Sequence, residues 1–226
     1  MRVRVVQLLE CDPRLAEGLS AEESAVAAGS LPVQAAMLKK GPWDPGPGPP
    51  EPEQLGYLVC SGLLVRRVEV DRGRSVELLG CGDLLRPWQE DASSFCRASW
   101  EILEPTTIVI LGPAVARGLG RWPAIASNLI ARGVNRSRAS TAAAAISSIV
   151  GLEERLLILF WHLAERWGEP VTDGIRIPIG LPHRLLAELV GARRPSVTTA
   201  LASLQEEGRL VSAENGCWML RGDPPC

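Results

Sequence analysis

The chain has 226 residues, a formal net charge of −2 at pH 7 and 46% hydrophobic residues. This length accommodates two domains and a connector, and the apolar content permits real hydrophobic cores. A slightly acidic chain excludes proteins that coat nucleic acid indiscriminately, although a local basic patch would still allow specific binding. We find no apolar run of about 18 residues and no export signal at the N-terminus, so the cytoplasm is the expected location, without a membrane partner.

The composition also argues against an enzyme. Two histidines offer little acid–base chemistry, and no Ser-His-Asp arrangement or phosphate loop is found. The six cysteines include no C-x-x-C pair, so no metal and no cofactor are predicted, and the thiols are expected to be reduced. These cysteines are Cys11, Cys60, Cys81, Cys96, Cys217 and Cys226.

The first 53 residues predict little regular structure. One or two short helices are expected in residues 1–40, packed outside the next domain, with Pro13 and Ser20 as openers and Gly29 as a stop. Residues 41–53 contain six prolines and three glycines. They predict a rigid, extended loop within the first domain.

Residues 55–111 favour β-structure. Short apolar runs such as "YLVCSG", "LLVRRVEVD" and "SVELLG" are separated by glycines at 56, 62, 73, 80 and 82. This punctuation is typical of a small antiparallel roll with tight turns.

Residues 121–150 predict a connector helix of roughly 25 residues, about 37 Å long. Pro123 suits its first turn, and the small side chains of Ala142 to Ala145 let two backbones approach closely. The helix is too long to be buried in a small domain, so a parallel pair of helices about a two-fold axis, and hence a homodimer, is expected. The apolar stripe of the helix consists of Ile125, Leu129, Ile130, Val134, Ala142, Ile146 and Ile149.

From Gly151 the chain predicts an amphipathic helix that supports the C-terminal motif. Its packing face is Leu152, Leu156, Leu159, Phe160 and Leu163. His162 on this helix is interpreted as a residue at the edge of the core. The segment "IRIPIG" predicts a short strand that can pair with the C-terminal wing.

The stretch from Leu181 to Leu220 predicts a helix-turn-helix followed by a wing. Apolar residues recur at helical spacing on both sides of Gly191, which can take the positive φ of the turn. In the second helix, Val197 and Ala200 are expected to face inward. The Asn215-Gly216 pair predicts the hairpin of the wing. A plain helical hairpin with no DNA role is the alternative. Residues suited to DNA phosphates and base edges gather here: His183, Arg184, Arg193, Arg194, Ser196, Thr198 and Thr199.

The helix-turn-helix, the helix before it and the β-rich segment together resemble the Crp/Fnr family of bacterial transcription regulators. The resemblance covers nearly the whole chain and is strongest over residues 121–220. It implies an α+β fold with a cyclic-nucleotide-binding-like β-roll in residues 1–120, a dimerisation helix in 121–150 and a winged helix-turn-helix domain in 151–226.

The resemblance also locates the family's phosphate cassette after Gly82-Asp83. Arg86-Pro87 stands where the family has Gly-Glu, and Ala98 replaces a hydroxyl residue, whereas Arg97 matches the phosphate-binding arginine. Cyclic mononucleotide binding of the usual type is therefore not expected.

Two further residues match family positions that contact the ligand. Ser140 and Thr141 fall where the family presents hydroxyls to a nucleotide base across the dimer. Solvent-facing helix residues are the alternative interpretation of this pair.

In the second motif helix, Arg194 matches the family arginine that reads guanine, while Pro195 and Thr199 replace a glutamate and a second arginine. The expected function is a homodimeric, sequence-specific regulator on a near-palindromic operator, with RNA polymerase as a further implied partner. The alternative is a ligand-sensing or protein-interaction module controlled by a cyclic nucleotide or another small molecule in an altered pocket. The sequence leaves the effector open.

Overall fold

The computed structural model describes residues 3–46, 53–71, 73–88, 95–213 and 216–224. It divides the chain into two compact units, residues 1–139 and 140–226. Asn215 of the predicted turn, Cys226 and residues 47–52 of the proline-rich loop lie outside the described residues.

The first unit is built on an antiparallel sheet that runs in the order β1-β2-β7-β4-β5, with β3 paired to β7 and β6 to β4. The strands are β1 (Val3–Gln7), β2 (Pro32–Leu38), β3 (Gly41–Trp43), β4 (Gly56–Val70), β5 (Gly73–Gly80), β6 (Leu84–Leu85) and β7 (Cys96–Leu111). Together with the helices described below, this sheet confirms the predicted α+β fold with an N-terminal β-roll.

The long strand β4 crosses a place where the sequence predicts a turn. It runs straight through Gly62, which has φ +89° and lies at a register shift against β7. A Cβ on Gly62 would lie 2.5 Å from the carbonyl oxygen of Pro105, so only glycine fits there. The predicted turn at Gly62 is therefore wrong, because this glycine serves a bulge within one strand.

The N-terminal helices are α1 (Leu8–Cys11), a 3-10 turn (Pro13–Ala16) and α2 (Ala21–Ala28). Ser20 opens α2 as predicted, since its Oγ accepts a bond from the Glu23 amide at 3.2 Å and the Glu23 carboxylate accepts one from the Ser20 amide at 2.8 Å. The predicted placement of these helices outside the domain is wrong, because Leu8 and Leu15 are fully buried in the core of the roll. The prediction for residues 1–40 also missed β1 and β2.

After β7 the chain forms α3 (Pro113–Leu119) and then the long helix α4 (Pro123–Ser147). Hydrogen bonds tie the first half of α4 to the roll: Asn128 donates to the Leu15 carbonyl at 3.0 Å, and Arg136 binds the Glu77 carboxylate at 2.8 Å. Asp12 receives a similar contact from Arg132 at 2.7 Å.

The predicted apolar stripe of α4 is divided between two faces. Ile125 and Leu129 are buried in the core of the roll, whereas Ile130 and Val134 are 68% and 45% exposed. The prediction of one continuous stripe is therefore wrong, since this chain's own core already covers part of it. The exposed pair forms a separate apolar face.

The second unit contains α5 (Leu152–Trp167), α6 (His183–Leu189), α7 (Arg194–Glu206) and a small antiparallel sheet. Its strands are β8 (Glu169–Val171), β9 (Gly174–Ile177), β10 (Leu210–Ser212) and β11 (Trp218–Leu220), in the order β10-β11-β9-β8. The predicted "IRIPIG" strand and its pairing with the wing are confirmed by the register Trp218 to Ile177. Phe160 of α5 is fully buried and lies 5.2 Å from the Trp218 ring.

Candidate nucleic-acid interface

A tight turn at Gly191 positions the second motif helix, as predicted. Gly191 has φ +63°, and the amide of Ala192 donates to the Ala187 carbonyl at 2.9 Å. A Cβ on Gly191 would meet no atom within 4 Å, so the backbone conformation, rather than crowding, requires glycine here.

The packing of α7 decides which of its faces is free. The residues Val197, Ala200, Leu201 and Leu204 are all buried, at helical spacing. The opposite face of α7 is exposed over its first two turns. The predicted inward orientation of Val197 and Ala200 is confirmed.

Arg155 of α5 fixes the approach to the turn. Its Nε donates to the Ile149 carbonyl at 2.9 Å and its Nη1 to the Val190 carbonyl at 2.8 Å. Val190 is the C-terminal cap of α6, so one guanidinium joins the start of the second unit to the end of α6. This role was not predicted, although an arginine directly before a run of leucines on an amphipathic helix was a signal for it.

The N-terminus of α7 carries most of the predicted DNA-binding residues on one exposed surface. Arg193 is the N-terminal cap, and Arg194, Pro195 and Ser196 form the first turn, all four being exposed. Neither arginine forms an ion pair within the described part of the chain. Pro195 has no amide hydrogen, which costs nothing at this position. The guanidinium groups are thus free to reach an anionic partner.

Two predicted residues come from the start of α6. Arg184 is 82% exposed and contacts Glu188 at 3.3 Å, a pair that contributes little in water. His183 is half-buried, its ring 6.1 Å from that of Trp218. Its Nδ1 lies 3.0 Å from Oγ1 of Thr198 and so links α6 to α7. This contact, between residues 15 positions apart, was not predicted from the sequence.

The two threonines of α7 are bonded to their own helix. Thr198 Oγ1 donates to the Arg194 carbonyl at 3.1 Å, and Thr199 Oγ1 donates to the Pro195 carbonyl at 3.3 Å. Both side chains remain exposed. Beside them, Ser196 and Thr199 line an open cleft of about 590 Å³ together with Glu153 and Glu154 of α5.

Arg97, the predicted phosphate arginine, lies on β7 in the first unit. Trp100 and Ile102 of that strand are buried, so Arg97, at odd spacing from Trp100, faces the other side of the sheet and is exposed. It is paired in register with Glu69, whose pKa is held below its usual range mainly by hydrogen bonds from Arg74 and, to a lesser degree, by Arg97. Ser140 and Thr141 are exposed on the part of α4 that belongs to the second unit.

The interior of the roll is occupied by aromatic side chains from four segments. Trp43 lies 5.6 Å from Trp100 and 6.1 Å from Tyr57, and Tyr57 lies 5.3 Å from Trp88, all between ring centroids. We call these four residues the aromatic quartet. Trp88 comes from the segment that follows Gly82-Asp83, and the guanidinium of Arg86 lies over its ring at 5.9 Å. Trp88 is only 9% exposed.

Two classes of feature are absent from the described ranges. They contain no helix that is long and apolar enough to cross a membrane. They also contain no group of three or more histidine, cysteine, aspartate or glutamate side chains arranged to hold a metal ion.

Comparison with known proteins places the second unit in a family. Residues 154–220 match the Crp-like helix-turn-helix domain. A segment of 58 residues is 40% identical to the global nitrogen regulator of a Synechocystis strain and covers 26% of this chain and 25% of that protein. The chain thus matches about a quarter of the length of this curated relative.

Solved structures extend the likeness to the first unit. A mutant of CooA from Carboxydothermus hydrogenoformans is 19% identical, with a TM-score of 0.64 over 98% of this chain and 94% of that one. A Crp/Fnr-family transcriptional regulator from Thermus thermophilus is 18% identical, with a TM-score of 0.56 over 83% of this chain and 93% of that one. At these identities the likeness shows the fold. Residues 154–220 thus match the Crp-like helix-turn-helix domain, and the chain as a whole has the fold of solved Crp/Fnr regulators.

Proposed function

We propose that this protein is a homodimeric transcription regulator of the cytoplasm that reads a near-palindromic DNA operator with α7. The observation that carries the proposal is the free, exposed N-terminus of α7, with Arg193 and Arg194 unpaired within the described residues, on a Crp-like helix-turn-helix domain. In such motifs the N-terminal residues of the second helix contact base edges in the major groove. Arg194 is the residue proposed to read guanine, through its two parallel N–H donors.

The remaining predicted residues receive supporting roles. Arg184 and Arg193 bind phosphates, as does Ser196, whose hydroxyl has no partner among the described residues. His183 contacts Thr198 through Nδ1, which leaves Nε2 as the ring nitrogen that could bind a phosphate.

Dimerisation is proposed through the exposed apolar face of α4. Ile130 and Val134 are one helical turn apart, and both are exposed in the single chain. Burying them against the same face of a second chain removes apolar area from water. Two copies of α7 would then enter successive major grooves about 34 Å apart.

We further propose that the roll does not bind a cyclic mononucleotide in the usual manner of the family. The aromatic quartet occupies the interior of the roll, and Trp88 of the cassette segment is part of it. Arg97 faces away from that interior, and Pro87 stands where the resemblance calls for the ribose-binding glutamate. Under this proposal Ser140 and Thr141 are solvent-facing helix residues. RNA polymerase and an effector of another kind remain predictions from the resemblance.

The test is selection of genomic DNA fragments by the full-length protein at physiological salt, without ligand and with cAMP, cGMP or a cyclic dinucleotide. We expect one palindromic motif whose half-sites lie about 10 base pairs apart and whose enrichment is the same in all arms. Arg194→Ala should weaken binding to that motif roughly tenfold to a hundredfold and relax its guanine position.

The matched control is Arg117→Ala, which removes one exposed positive charge from α3 in the first unit. It should leave the motif unchanged. A wild-type protein that enriches no motif in any arm would contradict the proposed DNA recognition. Enrichment that requires cAMP or cGMP would contradict the proposal for the roll, whereas enrichment that requires the cyclic dinucleotide would identify an effector of another kind.

A further inference from the structure

The hydroxyl of Thr198 has already used its single proton within the protein. Its Oγ1 lies 3.1 Å from the Arg194 carbonyl oxygen and 3.0 Å from Nδ1 of His183. A hydroxyl has one hydrogen to donate and two lone pairs that accept. In one arrangement the Thr198 hydroxyl donates its proton to the Arg194 carbonyl, and a protonated Nδ1 of His183 donates to Oγ1. In the other arrangement Nδ1 is unprotonated, and the hydroxyl donates its proton to Nδ1. In both arrangements Thr198 has no proton for an external partner but keeps an acceptor lone pair.

The hydroxyl of Thr199 also has no proton for an external partner, because of a single hydrogen bond. Its Oγ1 donates to the Pro195 carbonyl at 3.3 Å, which leaves both lone pairs available. The branched side chain of threonine has few rotamers in a helix, and this bond selects one of them. Since both threonines are exposed in the first two turns of α7, they present acceptors to whatever approaches this surface.

A hydroxyl that can only accept a hydrogen bond cannot pair with the acceptor groups of DNA. Phosphate oxygens, guanine O6, thymine O4 and the purine N7 atoms are all acceptors, so neither hydroxyl has a proton for them as long as it keeps its bond to the carbonyl. The complementary groups in the major groove are the exocyclic amino groups of adenine N6 and cytosine N4. Every base pair carries one such amino group on one of its strands, so an acceptor at a fixed position distinguishes an amino base from a keto base on the contacted strand.

From this chemistry we propose that Thr198 and Thr199 are specificity-determining residues that select adenine or cytosine over guanine or thymine at two positions of the operator half-site. The inference rests on the proposed function, since it needs α7 in the major groove. In this arrangement α7 contacts the bases through both donor and acceptor groups. Arg194 supplies donors for guanine, and the two threonines supply acceptors for amino bases.

His183 is the positioning residue for one of these acceptors. It contacts Thr198 through Nδ1, while its ring lies near Trp218 of the wing. No corresponding side-chain contact to Thr199 is found within the described residues. Loss of the imidazole leaves the Thr198 hydroxyl bonded to the Arg194 carbonyl alone, so it should reduce the preference for the base at Thr198 only in part and leave the base selected by Thr199 unchanged.

The experiment is selection from a randomised duplex library by the full-length protein at one fixed salt concentration. The variants are Thr198→Val and Thr199→Val, because valine keeps the branched shape and removes the acceptor. Each should flatten one amino-base position of the half-site, leave the guanine position of Arg194 intact and weaken binding to the best site by about twofold to tenfold. Thr198→Ser, which keeps the hydroxyl, is the matched control and should retain the adenine or cytosine preference.

The variant His183→Phe distinguishes a specific effect on Thr198 from a general loss of structure in the domain. It keeps a ring beside Trp218 and should broaden the Thr198 position alone, whereas a general loosening of the domain would broaden the Thr199 and Arg194 positions equally. Circular dichroism checks that each variant folds.

Two results would overturn the inference while the proposed function stands: a palindrome whose base preferences are identical in the wild type and both valine variants, or guanine or thymine at the positions that these variants flatten. A wild-type protein that selects no motif overturns the proposed function itself, and the inference with it.

Discussion

The two units of this protein place their aromatic and polar side chains in opposite ways. In the roll, Tyr57, Trp88 and Trp100 are buried, Trp43 is half-buried against them, and Arg97, which matches a ligand-binding residue of the family, is exposed. In the second unit, the aromatic rings of Phe160 and Trp218 pack beneath the helices, and the arginines and hydroxyls of α7 are displayed on the surface. One fold can thus display an accessible polar surface in one unit while the other unit buries most of its aromatic rings.

The largest expected effect tests whether the interior of the roll is closed. Trp88→Ala removes a ring that is 9% exposed and packed against Tyr57, so the free energy of unfolding should fall by about 3–5 kcal/mol. Urea denaturation combined with hydrogen exchange across residues 3–139 measures the loss and locates it. Trp167→Ala is the control, since Trp167 is only half-buried beside Arg166 and its removal should cost much less. Equal losses in the two variants would mean that the interior is not tightly filled.

The next effect concerns the scaffold of the second unit. Arg155→Ala removes charge-assisted hydrogen bonds to the carbonyls of Ile149 and Val190. The free energy of unfolding should fall by about 2–3 kcal/mol, and exchange of the amides around Gly191 should accelerate. Arg155→Lys should recover part of this stability, because an ammonium group lacks the fork that reaches both carbonyls. A full recovery by lysine would show that charge alone, rather than the bridging geometry, matters.

The smallest expected effect is a dependence of the free energy of unfolding on pH that comes from His162 of α5. Burial, with the nearby Arg166 charge, lowers the pKa of His162 from its ordinary value of 6.5. The unfolded chain therefore binds a proton at this residue at a higher pH than the folded chain, and the stability contributed by neutral His162 is lost as the pH falls below 6.5. Urea unfolding between pH 5 and pH 8, roughly the range in which histidine titrates, should show this loss in the wild type and a smaller one in His162→Gln. Parallel pH profiles would assign the dependence to other groups.

The second unit could be predicted from the sequence more fully than the first. The helices α6 and α7 follow from local signals, namely apolar spacing and a glycine at the turn, which act within a few residues. β1 and β2 were missed because β1 is a short edge strand and β2, which lies between β1 and β7, carries proline, glutamine and two alanines, so that strand pairing rather than propensity defines it. The divided stripe of α4 has the same cause, since Ile125 and Leu129 are buried by residues far away in the sequence.

The candidate interface shows a similar limit. The sequence supplies the residue types of α7, and the resemblance supplies the match of Arg194. The state of each hydroxyl depends on three-dimensional contacts, such as that between His183 and Thr198, which no pattern of spacing encodes. Residue type therefore predicts that this surface is polar, whereas geometry decides whether each group donates or accepts.

Pro195 has a consequence for the response of this protein to its ionic environment. A helix N-terminus ordinarily offers several backbone amides to a DNA phosphate, and proline at the second helical position of α7 removes one of them. Under the proposed function, the phosphate binding of this surface comes from arginine side chains such as Arg184 and Arg193, whose contacts release condensed cations from DNA. If α7 binds DNA as proposed, the affinity should accordingly fall steeply as the salt concentration rises.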